Sequence, residues 1–193
     1  MKMEFKKLIK EALKKRETVY EYGCVMINLD VKPKEWDAVQ KMVDEDDVYF
    51  SDVDPTGFGR ELGLQHVTIL FGIHADVPDE DVEKLIDKIN KPEIELKKIS
   101  SFSSDKKPFD VLKFDIESEY LIELNKMFKT LPYTSDFPSY HAHCTVAYMK
   151  KNKADKYVKK ISEYLIEKGP IKAKPNGVTY SKPDGTKKEY KIK

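Results

Sequence analysis

Cysteine, arginine and histidine are all scarce in this sequence. Its 193 residues include two cysteines (Cys24 and Cys144), two arginines (Arg16 and Arg60) and four histidines. Two cysteines make neither a disulfide framework nor a cysteine-rich metal site. An excess of charge of one sign is missing too: 35 Lys and Arg stand against 34 Asp and Glu, a net charge of +1. A chain that grips long nucleic acid by its phosphates usually carries a clear basic excess, so any phosphate site here is local. No apolar run approaches the roughly 18 residues that a spanning helix needs, so no membrane is expected as partner. The opening Met1-Lys2-Met3-Glu4-Phe5 leads into charged residues and not into an apolar signal core. These absences together read as a reduced, cytoplasmic protein.

Core material is present nonetheless. Eleven tyrosines, nine phenylalanines and one tryptophan accompany a 36% charged composition, which argues against general disorder. Phe5, Leu8, Ile9, Ala12 and Leu13 form one apolar stripe, so the spacing predicts an amphipathic helix within residues 1–19 that packs on the body. Residues 20–193 read as one bilobed domain. Within it strands are expected at 22–31, 48–51, 66–71, 93–100, 111–116 and 140–149, and helices at 34–43, 79–90, 119–131 and 154–168. Lys182-Pro183-Asp184-Gly185 lies between two short apolar stretches and signals a terminal hairpin. Strands and helices mix without strict alternation, which points to α+β with largely antiparallel sheet.

One short pattern occurs twice. His66-Val67-Thr68-Ile69-Leu70-Phe71 and His143-Cys144-Thr145-Val146-Ala147-Tyr148 both read His, any, Thr, aliphatic, any, aromatic. Each sits on an expected strand with an amphipathic helix soon after, the mark of an internal duplication. Side chains alternate faces along a strand, so His66 and Thr68 share a face about 6–7 Å apart, as do His143 and Thr145. If the halves pair about a pseudo-twofold axis, two imidazoles and two hydroxyls meet in one cleft. One imidazole can take a proton while the other gives one. The hydroxyls donate to anionic oxygens without adding charge. The set suits a phosphodiester and calls in principle for no metal or other cofactor.

The paired His-x-Thr motifs resemble those of the two-histidine (2H) phosphoesterase superfamily, over roughly Tyr22 to Tyr180. The resemblance implies two pseudo-symmetric lobes of antiparallel sheet, with outer helices and a central cleft, and it implies His66, Thr68, His143 and Thr145 as the catalytic residues. Phe109-Asp110-Val111-Leu112-Lys113-Phe114-Asp115 and the stretch from Tyr140 to Tyr148 are similar to a phage branch that destroys cyclic-oligonucleotide immune signals. That likeness implies a cyclic oligonucleotide as partner and the cytoplasm of an infected bacterium as setting. The rivals are an RNA 2′,3′-cyclic phosphodiesterase and a nucleotide sponge that binds without cleaving.

Four further residues are candidate substrate contacts. Arg60 lies in a glycine-rich loop before His66 and is a candidate for a phosphate. Tyr22 and Tyr180 are placed at strand ends where a base could stack. His141, two residues before His143, could share the cleft face. A metal reading would join His141, His143 and His66 as nitrogen ligands, but no carboxylate or cysteine accompanies them in the motif.

Overall fold

The computed structural model describes residues 20–51 and 58–192; the helix expected within residues 1–19 lies outside them. Among the described residues eight strands form two antiparallel sheets. The first has the order β2–β1–β7–β3, with β8 also on β7. Its strands are β1 (Gly23–Val31), β2 (Gln65–Ile73), β3 (Ile94–Leu96), β7 (Ile171–Ser181) and β8 (Lys187–Lys191). The second has the order β4–β5–β6, with β4 at Lys98–Ser103, β5 at Phe109–Asp115 and β6 at His143–Lys150. The α+β class with two antiparallel lobes agrees with the sequence reading. No helix among the described residues is long and apolar enough to cross a membrane.

Four helices appear among the described residues: α1 (Pro33–Lys41), α2 (Asp79–Ile86), α3 (Glu119–Phe128) and α4 (Asp155–Lys168). Local chemistry sets their ends. Pro33 occupies the first turn of α1, where a missing N–H costs nothing. The Ser118 side chain accepts from the Leu121 N–H at the start of α3, a normal cap. At the end of α4, Gly169 takes φ 84° and its N–H bonds to the Leu165 carbonyl at 2.9 Å, which closes the helix before Pro170.

The helices are exchanged between the halves. Helix α1 connects two strands of the first sheet yet lies on the second. Its Trp36 ring is 6.1 Å from that of Phe114 on β5, and α4 holds the turn that follows it through Tyr157, whose hydroxyl donates to Asp47 at 2.6 Å. Helix α3 connects two strands of the second sheet yet packs on β2. The units β1–α1–β2 and β5–α3–β6 are thus two copies of one strand–helix–strand arrangement, each lending its helix to the other.

Two expected strands differ. Residues 93–100 form not one strand but two, β3 and β4, which belong to different sheets; the chain changes sheet at Lys97. Residues 48–51 form no strand: Val48 makes an isolated bridge to Met149.

Candidate active site

Strands β2 and β6 are the edges of their sheets and lie against each other. On β2, Gln65, Val67 and Ile69 are buried while His66 and Thr68 are half-buried. On β6, Cys144 and Val146 are buried while His143 and Thr145 are half-buried. Both histidines and both threonines therefore turn to the open face, away from the helices. His66 is near enough to His143 for its charge to bear on that ring.

The two imidazoles are held alike. The Nδ1 of His143 faces the His141 carbonyl at 2.9 Å, and that of His66 faces the Leu64 carbonyl at 3.4 Å. A carbonyl only accepts, so the neutral ring carries its proton on Nδ1 and leaves Nε2 with a lone pair for the cleft. Burial is the main cause that holds His143 below the ordinary imidazole pKa; the charges of Lys113 and His66 push the same way, against the His141 carbonyl and Asp115.

Each motif strand carries a β-bulge at the same place. The register of β2 with β1 slips opposite Val25 and Met26, so Ile69 has no partner, and that of β6 with β5 slips between Leu112 and Lys113, so Val146 has none. A bulge turns two consecutive residues to one side. Phe71 and Tyr148 consequently return to the face of His and Thr, although strict alternation from the sequence would put them on the other. Phe71 is 49% exposed and its ring meets that of Tyr22 edge-on at 6.4 Å. Tyr148 joins Phe58 and Phe109 at 5.2 and 5.4 Å between ring centres.

A buried amide from the exchanged helix satisfies each bulge. Asn125 of α3 donates to the Ile69 carbonyl at 2.7 Å, and Gln40 of α1 donates to the Val146 carbonyl at 2.9 Å. Neither residue is visible as functional in the sequence, because their partners lie across the molecule. Asn125→Leu removes the side-chain donor from the buried Ile69 carbonyl, at a cost of about 1–3 kcal/mol; Gln40→Leu is expected to cost less, because the Val146 carbonyl also accepts from the Glu61 N–H at 3.0 Å. Denaturant unfolding checks this, and unchanged stability would show that strand pairing alone holds the bulges.

Tyr22 stands beside Phe71, at the edge of the cleft face. Arg60 does not face a phosphate: it donates to the Gln40 carbonyl at 2.5 Å, the Val43 carbonyl at 2.6 Å and Glu45 at 2.8 Å. Its guanidinium caps the carbonyl end of α1, which engages three of its five N–H groups. Tyr180 is 1% exposed; it pairs with buried Val25 on β1 and so points to the helix side, where no base can reach it. His141 contributes its backbone carbonyl, while its exposed ring shares a hydrogen bond with Ser139 at 2.8 Å. Tyr140, missed in the sequence, donates its hydroxyl to the Thr68 carbonyl at 3.0 Å; burial pushes the phenol up, so it remains a donor. Burial also pushes Cys24 up to about 11 and Cys144 up to about 12, and neither is a thiolate nucleophile at neutral pH.

The fold is shared with solved structures. Kluyveromyces marxianus Usb1 superposes with a TM-score of 0.58 over 91% of this chain and 100% of its own, at 10% identity. The same protein with uridine monophosphate gives 0.54 over the same shares, again at 10% identity. Escherichia coli LigT complexed with 3′-AMP gives 0.46 at 13% identity, over 90% of this chain and 97% of its own. No family model and no curated protein sequence matches the chain.

Proposed function

We propose that this chain, whose fold is the two-lobed one of the two-histidine phosphoesterases, is a metal-independent phosphodiesterase. The observation that carries the reading is the matched pair of half-buried His-x-Thr faces, each imidazole with its Nδ1 turned to a backbone carbonyl, which leaves Nε2 for a substrate. His143, held neutral, takes the proton from a nucleophile, either a ribose 2′-hydroxyl or a water. The nucleophile attacks phosphorus, and the bond from phosphorus to the leaving oxygen breaks. His66, protonated, gives that oxygen its proton. Thr68 and Thr145 donate to the non-bridging oxygens as charge builds on them.

The substrate we propose is a 3′,5′-linked cyclic di- or trinucleotide. The near-zero net charge suits a ligand with few phosphates. Each lobe also brings aromatic rings to the cleft face, Phe71 with Tyr22 in one and Tyr148 with Phe58 and Phe109 in the other. Two aromatic walls suit a ligand with more than one base. An RNA 2′,3′-cyclic end is the second reading, favoured by the uridine monophosphate that the similar Usb1 binds.

Chromatography of products from a panel of nucleotides tests the proposal. A cyclic dinucleotide is expected to open to linear products at the same rate in excess EDTA. Its 2′-deoxy analogue is expected to bind and stay intact if the base works on ribose. Opening of a terminal 2′,3′-cyclic phosphate with cyclic dinucleotides left whole would establish the second reading, and binding without any product would make the protein a sponge.

A further inference from the structure

Cross-strand neighbours of the two motifs differ sharply. In the first lobe Asn28 pairs with His66 and Met26 with Thr68. In the second Asp115 pairs with His143 and Lys113 with Thr145. Directly paired residues point to the same face with Cβ atoms about 4.5–5.5 Å apart. The Asn28 amide is buried and bonded to Thr179 at 3.0 Å. Lys113 and Asp115 instead form an ion pair whose side chains are only 15% and 27% exposed. The same scaffold position thus accepts Met in one half and a largely buried cation in the other, so the fold itself does not require charge there. Enclosing an ion pair brings little stability of its own.

We infer that Lys113 is a phosphate-binding residue, which Asp115 and Ser100 hold ready beside Thr145. The inference rests on the phosphodiesterase reading and deepens it. An ammonium has three hydrogens. One goes to Asp115 and one to Ser100 Oγ at 3.0 Å. The third has no acceptor among the described residues, on a side chain that shares its face with His143 and Thr145. A phosphodiester enters with one negative charge and gains another as the nucleophile adds. Thr68 and Thr145 supply neutral donors, whereas Lys113 supplies a fixed charge on one side only. That asymmetry makes two nearly equivalent halves unequal and sets the direction in which a substrate lies.

Removing Lys113 alone would strand the Asp115 carboxylate and repel anions by itself. The comparison is therefore made on the Asp115→Asn background, with inorganic phosphate as probe and the His66 and His143 ring signals followed by NMR. Asp115→Asn/Lys113→Met installs the residue types that the first lobe carries at the equivalent positions; if it does not fold, Asp115→Asn/Lys113→Gln makes the same comparison. Phosphate is expected to shift both ring signals, with affinity about tenfold lower in the double variant, the worth of one charge-assisted hydrogen bond. Asp115→Asn/Lys113→Arg is expected to retain most of the affinity. Equal affinity with and without Lys113 would reduce it to a structural counterion and overturn the inference while the phosphodiesterase reading stands. Phosphate that moves neither ring signal in the unmodified protein would instead sink both.

Discussion

His66→Ala and His143→Ala are each expected to lower turnover by about 10²–10⁴-fold, the usual worth of one positioned acid or base. Both rings lie on the half-buried cleft face and neither fills the core, so circular dichroism of the variants should match the unmodified protein. The pH profile of kcat/KM carries a second signature. A base must be neutral to work. Burial, first, and then the charges of Lys113 and His66 hold His143 below the ordinary imidazole value. The ascending limb is therefore expected on the acid side of the ordinary imidazole range, and it should vanish in His143→Ala. The descending limb comes from loss of the proton on the acid. A rate that climbs steadily into alkali would point to hydroxide attack, and full activity in His143→Ala would end the assignment.

Thr68→Val and Thr145→Val test the other half of the quartet. Valine keeps the β-branched shape and removes only the hydroxyl. Loss of one transition-state donor costs on the order of 3 kcal/mol, about a hundredfold in kcat. At rest the Thr68 hydroxyl neighbours the Cys24 thiol, a weak partner that a phosphate oxygen readily replaces. Wild-type kinetics in both variants would make the hydroxyls merely structural.

The shared faces of His66 with Thr68 and His143 with Thr145 were legible because alternation holds from each His to its Thr. Beyond Thr it fails, since the unpaired residues Ile69 and Val146 are ordinary aliphatics and nothing in their chemistry marks a bulge. The split of residues 93–100 did leave a trace: Ile94 and Leu96 keep a two-residue period, and Ile99 falls one step out of phase. Arg60 and Tyr180 misled for a different reason. A guanidinium in a glycine-rich loop serves a phosphate or a helix end equally well, and only the fold brings the α1 carbonyls to it. The face that Tyr180 takes depends on its register with Val25, a partner far away in the chain. Gln40 and Asn125 were silent for the same reason.

The exchange of α1 and α3 bears on ancestry. A lone β1–α1–β2 unit has nowhere to lay its helix, since the surface that α1 covers and the carbonyl that Gln40 satisfies belong to the other copy. An ancestor of one unit would have existed only as a twofold dimer, its cleft astride the axis, with a single histidine serving as acid in one copy and base in the other. Fusion into one chain removes that identity constraint. The positions opposite the two histidines can then differ, as Asn28 and Asp115 do, and the site is no longer bound to be symmetric.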